Sequence, residues 1–503
     1  MLEALRILVS YALSLGLIYT TSLITYRIYF HPLAAIPGPP LARITYLFEW
    51  YYDLFLGGQF TSRLAALHQE YGPVIRINPD EVHINDPDYF DEVYNQANGR
   101  NVKPPNVAGA FGPYSGTIAT ASHELHRIRR SALNPFFSKR SVQNLLPVMQ
   151  RPIKILCDRL CTASDKGLTV NLKYIYAAVT LDIINDYCFA RDPVYILKPD
   201  FGGRGFEKID NFLKMSLLNI HIPWAIRLTY SLPERLKRIL APDMADTLDF
   251  RLGLSRQVEA IRSGQDKAYE HADHRTVFHE LFSSKLPPEE LTPDRMRDEA
   301  FTLVNAGSGT VATVLRGTAY HVAANESIRQ KLHDELCAAI PDPTEPLSLM
   351  ALEQLPYLSA VVNEGLRLCS PVTHRISRQF PDRNFTYNGY IIPPGSTVSL
   401  TLQLLMTDAA IFPEPHAFRP ERWLSEGRRL EKYLVPFNRG PRMCVGYNLA
   451  RAELVLILAA VFLQFTFDVS AVIRERDVDL SRDYILGATA QDSPGILVRV
   501  RKC

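Results

Sequence analysis

The chain has 503 residues, a formal net charge of +2, 47% hydrophobic and 21% charged residues. That composition excludes a disordered or low-complexity chain, and the near-neutral balance gives no reason to expect nucleic acid as a partner. Its seven cysteines, an odd number without a framework, argue against a secreted disulfide scaffold and for a reducing compartment.

In chain order, Ile7–Tyr26 comes first, about 20 residues without a formal charge, enough to cross a bilayer core as a helix. Arg6 precedes it, while Arg27, His31 and Arg43 follow, a cation excess that favours a cytoplasmic catalytic domain. A cleaved signal peptide has a shorter apolar region ending in small residues. This run continues into Tyr26-Arg-Ile-Tyr-Phe-His, so residues 1–30 are expected to be an uncleaved anchor and 31–503 the catalytic domain. On that side of the membrane the sequons at Asn325 and Asn384 would go unused. Pro32, Pro37, Pro39 and Pro40 then form a stiff connector, because proline fixes φ and stops a helix.

Thr61–Tyr71 reads as a short helix, and Val74–Asn78 with Glu81–Asn85 as a strand pair around Pro79-Asp80. From His123 to Leu347 the pattern is mostly helical, with proline-marked breaks. In it, His126-Arg-Ile-Arg-Arg130 puts residues 126 and 130 on one helix face, which could also be a solvated basic face. Cys157 and Cys161, one turn apart, read as core residues, since no second pair stands nearby to share a metal. A long helix begins near Leu291-Thr-Pro-Asp, with Thr292 as its cap and Pro293 in its first turn. That helix carries Ala306-Gly-Ser-Gly-Thr310-Val. A further helix over Leu355–Leu368 sets Glu364 and Arg367 three residues apart, spaced for a charge-assisted bond. Strands return between Asn384 and Leu400, and Phe418-Arg-Pro-Glu-Arg422-Trp follows.

The most informative stretch is Phe437-Asn-Arg-Gly-Pro-Arg-Met-Cys444-Val-Gly446. Gly440 and Gly446 let the backbone pass close to a flat partner, where a Cβ would collide. Arg442 is a permanent cation able to hold a carboxylate, and Phe437 can exclude water. An apolar helical run starts at Asn448, so Cys444 stands near a helix N-terminus, where free N–H groups and the dipole stabilise an anion. A thiolate so placed suits a haem iron. The plain alternative is a buried core cysteine.

This segment resembles the haem-binding signature of the cytochrome P-450 family, Phe-x-x-Gly-x-Arg-x-Cys-x-Gly, with every defining position matched. The likeness covers nearly the whole chain. It implies a mainly helical fold with a smaller β region, haem b as cofactor and Cys444 as metal ligand, with Phe437, Gly440, Arg442 and Gly446 around it. It also implies a buried structural triad of Glu364, Arg367 and Arg422, and propionate contacts from Arg130, from His126 in place of the usual tryptophan, and from Arg378. In the family the long helix reads Ala/Gly-Gly-x-Asp/Glu-Thr-Thr/Ser, where small residues open a groove for dioxygen and the acid and hydroxyl supply protons. Here Thr310 is present but Gly309 holds the acid position, which leaves water acting through Thr310 and Ser308 as the relay.

The resemblance further implies an NADPH-driven flavoprotein reductase as partner. It could dock on the cations Arg127, Arg129, Lys139, Arg140, Arg428, Arg429 and Lys432, which otherwise form a solvated surface. Tyr-Phe-His31-Pro-Leu together with His126-Arg-Ile-Arg-Arg-Ser-Ala-Leu-Asn-Pro-Phe-Phe-Ser looks like fungal secondary-metabolite members, trichodiene-oxygenase-like sequences among them. The expectation is an endoplasmic-reticulum-anchored monooxygenase acting on an apolar small molecule, a terpenoid or polyketide. Substrate-facing stretches are expected at 106–115, Ala306–Thr310, the loop after Pro371 and Leu217–Leu232. Gly309 keeps open a haem-thiolate peroxygenase, isomerase or dehydratase, or a degenerate haem-binding protein.

Overall fold

A computed structural model describes residues 1–94, 100–112, 115–240, 245–342 and 347–503. The chain is mainly helical with small sheets and divides into two compact units. The first comprises Met1–Pro104 and Arg375–Thr401, the second Pro105–His374 and Leu402–Cys503.

In the first unit, a helix over Leu2–Thr25 runs into a π-wound turn, Tyr26–Phe30, and none of its residues is buried. Its length and hydropathy suffice to cross a membrane. A helix follows at Phe60–Tyr71, then strands Val74–Asn78 and Glu81–Ile84, close to where the apolar spacing puts them. Those strands pair antiparallel, Val74 opposite Ile84. Thr397–Ser399 joins Glu81–Ile84 in parallel, and Arg378–Gln379 closes the four-stranded sheet. Residues distant in sequence therefore complete a sheet that local pattern only begins.

In the second unit, a central helix of 31 residues, Pro293–Ala323, packs against Leu172–Phe189, Ala245–Arg262, Pro356–Leu368 and Tyr447–Gln464. Thr292 occupies its N-cap position in extended conformation, but its hydroxyl makes no capping bond, and Pro293 alone gives the start its stiffness. Tyr447–Gln464 is buried almost all round from Leu449 to Leu463. It is apolar enough for a membrane span, yet its burial makes it a core helix. A three-stranded antiparallel sheet flanks this core: Leu497–Lys502 lies in the middle, between Thr169–Asn171 and Phe465–Asp468.

Candidate active site

The loop before the buried Tyr447–Gln464 helix is built differently from it. Cys444 N–H donates to the Phe437 carbonyl at 2.9 Å, closing the segment on itself. Asn438 and Gly440 both take positive φ, +58° and +74°, and the glycine makes the second reversal cheap. Gly446 has an ordinary φ. A Cβ built there would meet only the Cys444 sulfur, at 3.9 Å. Residues 436–448 are all partly open, and Cys444 is exposed.

That exposure contrasts with the electrostatics of the thiol. Its pKa is pushed up, chiefly because surrounding protein penalises the thiolate, while the Gly446 N–H and the Arg130 charge oppose the rise. The residue is thus exposed while the protein around its thiol penalises the charged form. The phenyl ring of Phe437 meets Tyr447 edge-on at 5.0 Å, bracing the loop from below.

Two arginines lock this loop to the helix over His123–Leu133. Arg442 donates to the carbonyls of Thr120, Ala121 and Ser122 at 2.7–3.1 Å, just before that helix begins. In the opposite direction, Arg130 donates to the Met443 carbonyl at 2.7 Å, one residue from the cysteine. His126, on the same helix, is buried.

The central helix shows a second uncovered surface. Most of its residues are buried, but Ala306 and Gly309 are exposed, and Thr310 and Thr313 are half-buried. These positions share one helical face. Thr310 donates to the Ala306 carbonyl at 2.7 Å and Thr313 to the Gly309 carbonyl at 2.9 Å. Two glycines of this stretch do opposite jobs. A Cβ on Gly307 would strike Ile184 at 2.8 Å, so it is there for helix packing; one on Gly309 would meet nothing within 4 Å.

Ser308 requires a correction. It is 5% exposed on the far face, its hydroxyl donates to the Val304 carbonyl, and Thr180 donates to its own carbonyl. A residue two positions from both 306 and 310 points away from their face, so Ser308 cannot share a relay with Thr310 in this geometry. Arg129 also leaves the basic surface. Its side chain is 10% exposed and grips Glu290 in a two-pronged pair at 2.6 and 2.9 Å. Lys139 pairs with Glu353 and Arg429 with Glu426, whereas Arg127, Arg140 and Arg428 are exposed.

Glu364, Arg367 and Arg422 come together in the second unit. Arg367 donates to both Glu364 oxygens at 2.7 and 2.9 Å, and Arg422 reaches the first of them at 3.2 Å. Sequence reasoning missed the rest of this cluster. Trp423 donates to Glu364 at 2.8 Å, the Arg419 N–H adds another bond, and Arg367 also donates to the carbonyls of Met406, Pro415 and Ala417. Arg378 belongs to the first unit, where it is buried, donates to the Ser377 carbonyl and lies 5.7 Å from the Tyr94 ring.

The remaining stretches are placed unevenly. Of 106–115, residues Pro113 and Tyr114 lie outside the described residues. Ala110 and Phe111 join Ile220 in a small apolar cluster with Ile485, a residue that sequence reasoning did not select. Ile485 sits at φ +76°, unusual for a β-branched side chain, at the tip of a hairpin over Arg482–Ala488. Asp483 secures the tip by accepting from Ile485 N–H, Thr373 and His374, in the loop after Pro371. No sequence signal marks that strained turn. Within Leu217–Leu232, Leu217 and Ile220 are buried and Trp224 and Leu228 are exposed.

A haem b fits what the residues offer. The exposed Cys444 thiol is a soft donor, Gly446 beside it has no Cβ to crowd the sulfur, and Arg130 and Arg442 carry charge suited to its carboxylates.

Comparison with known proteins agrees with the geometry. The family model described as Cytochrome P450 matches residues 36–486. The chain is 38% identical to cytochrome P450 monooxygenase tpcC of Cochliobolus heterostrophus, over 96% of this chain and 95% of that one. It is 36% identical to tryptophan 6-hydroxylase fscE of Fusarium equiseti, over 96% and 94%. It is likewise 36% identical to N-acetyltryptophan 6-hydroxylase ivoC of Emericella nidulans, over 97% and 96%. The chain belongs to the cytochrome P450 family, as a haem-dependent monooxygenase.

Proposed function

We propose that the protein is a membrane-anchored monooxygenase of fungal secondary metabolism that inserts one oxygen atom from dioxygen into an apolar small molecule. The observation that carries this reading is the exposed Cys444 on a loop held by Arg130 and Arg442, in a chain that matches the family over residues 36–486. Haem held through that sulfur supplies the oxidising chemistry. The chain's own residues do the rest.

Cys444 serves as the metal ligand, and Gly446 N–H and Arg130 favour its anionic form. Arg442, Arg130 and His126 hold the carboxylates of the cofactor by charge and hydrogen bonds. Phe437 keeps water from the sulfur. Ala306 and Gly309 leave space above the central helix, and the Thr310 hydroxyl, already donating to Ala306, accepts a hydrogen bond from water and steers a proton toward the reacting oxygen. Glu364, Arg367 and Arg422 are structural.

Residues 1–30 act as a single-pass anchor and 31–503 as the catalytic domain, with the endoplasmic reticulum as location. Electrons come from NADPH through a separate reductase, which docks on Arg127, Arg140 and Arg428 and their neighbours. The substrate is a terpenoid, a polyketide or, as the names of two relatives support, an indole amino-acid derivative.

The test is turnover of candidate substrates by the full chain with reductase, NADPH and isotopically labelled dioxygen. One labelled oxygen atom in the product, dependent on all three, is the expected result. A second reading follows from Gly309, which puts no acid beside Thr310: the oxidant is peroxide. Equal turnover with peroxide alone, without reductase, would establish it.

A further inference from the structure

Three of the seven cysteines are exposed: Cys337, Cys444 and Cys503. Cys444 belongs to the site above. Cys337 lies near the end of the helix over Glu326–Ala339, in the second unit, and it has a base beside it. One turn earlier on the same face, the half-buried His333 places Nε2 3.4 Å from the Cys337 sulfur. The other ring nitrogen, Nδ1, lies 3.0 Å from the Phe462 carbonyl of the core helix Tyr447–Gln464. A carbonyl can only accept, so Nδ1 carries the proton of the neutral ring. Nε2 is then the bare nitrogen, and the Cys337 thiol donates to it. A thiol, a base and a group that fixes the base's tautomer are the parts of an activated nucleophile.

The same helix end brings in a second thiol. Cys503 N–H donates to the Gln464 carbonyl at 3.0 Å, two residues beyond Phe462, and the preceding Lys502 pairs with Phe465. Arg329, one turn before His333, completes a stripe of cation, imidazole and thiol along the helix. Protein around the Cys503 thiol raises its pKa, the Arg329 cation opposes that rise, and a thiolate on Cys337 adds to it. Only close groups exert such effects. The buried cysteines differ. Burial pushes the thiols of Cys157 and Cys369 up to about 12, and Cys188 rises for the same reason. Cysteines of that kind are inert.

We propose that Cys337 is a peroxide-reactive thiol with Cys503 as its resolving partner, a redox site separate from the haem. His333 Nε2 takes the Cys337 proton, and the sulfur attacks one oxygen of hydrogen peroxide. The O–O bond breaks, the second oxygen leaves as hydroxide and collects the proton from His333, and Cys337 becomes a sulfenic acid. The Cys503 sulfur then attacks that sulfur. An S–S bond forms, the S–O bond breaks, and the departing hydroxide takes the Cys503 proton. Two thiols are oxidised and one peroxide is reduced to water. The product fastens the end of the middle strand, Leu497–Lys502, to the helix Glu326–Ala339.

The test treats the reduced, haem-loaded full chain with equimolar hydrogen peroxide and maps its cysteine peptides by mass spectrometry. A peptide joining Cys337 to Cys503 is expected, split again by dithiothreitol. Cys503→Ser removes the resolver, so dimedone, which traps sulfenic acid, should then label Cys337. His333→Gln keeps a donor for the Phe462 carbonyl but supplies no base. Alkylation of Cys337 by iodoacetamide at neutral pH should slow in it by about tenfold or more. Unchanged alkylation in His333→Gln would overturn the proposal. So would dimedone on Cys337 of the unaltered chain without the disulfide, a bond joining Cys337 of two chains, or oxidation that spares Cys337.

Discussion

The cysteine loop and the Glu364 cluster share one unit and one liking for arginine, but their bonding differs. Around Glu364 every strong donor has found an acceptor inside the protein: two arginines, a tryptophan and a backbone N–H converge on one carboxylate that is fully buried. Around Cys444 the arginines bond to carbonyls, and the sulfur itself is left exposed. A closed set of bonds makes structure, and chemistry needs a group whose partner comes from outside. The contrast separates the two kinds of site more cleanly than charge or burial alone.

The largest effect should follow from opening the closed cluster. Arg367→Ala leaves the Glu364 charge buried without its two-pronged partner, and losing one side of a buried pair costs about 3–5 kcal/mol. Little folded, haem-loaded protein is expected, read as loss of the cooperative melt together with the Soret band. Normal melting would mean the cluster is not closed in solution.

Next comes Cys444→Ala. Because the side chain is exposed, melting of the haem-free protein should move by no more than about 0.5 kcal/mol. The ferrous carbon-monoxide band typical of a thiolate ligand should vanish altogether. Retention of that band would assign the ligand elsewhere.

Smaller effects should appear on the central helix. Thr310→Ala should lower product formed per NADPH, by up to about 100-fold if the hydroxyl carries the proton step. Gly309→Glu should raise that coupling by placing an acid beside Thr310, where an added Cβ meets no protein atom within 4 Å. Ser308→Ala should leave coupling unchanged, which distinguishes the two faces of the helix. If the Gly309 space instead belongs to the substrate, Gly309→Glu will weaken substrate binding.

The mildest effect at neutral pH concerns His321, stacked on Phe418 at 5.0 Å. Burial first, then the charges of Arg474 and Arg367, lower its pKa from 6.5 to about 3. Below pH 6.5 the unfolded chain takes up a proton that the folded one refuses, so stability falls with pH until about 3. His321→Phe should flatten that acid limb in equilibrium melts and leave the neutral region unchanged.

What the sequence disclosed depended on distance along the chain. The cysteine signature, the Glu364–Arg367 spacing and the apolar N-terminal run are local patterns, and each reads directly. Arg422 could be joined to Glu364 only through family likeness, because 58 residues separate them. The bond from Arg129 to Glu290 spans 161 residues, and nothing near Arg129 announces it. Nothing in its own side chain announces the positive φ of Ile485, and its hairpin is bonded through Asp483 to Thr373 and His374, 110 and 109 residues away. Ser308 differs from these. Helix periodicity alone sets it off the Ala306–Thr310 face, so that signal was present in the spacing.

The strand at Leu497–Lys502 carries a consequence for biosynthesis. It is the middle strand of its sheet, with Thr169–Asn171 on one side and Phe465–Asp468 on the other. Until that strand is made, both outer strands lack their partner. The sheet of the larger unit can therefore close only once Leu497–Lys502 has left the ribosome, long after Thr169–Asn171 has emerged. A chain that stopped before Leu497 would leave Thr169–Asn171 and Phe465–Asp468 with unpaired edges, prone to pair with neighbouring chains.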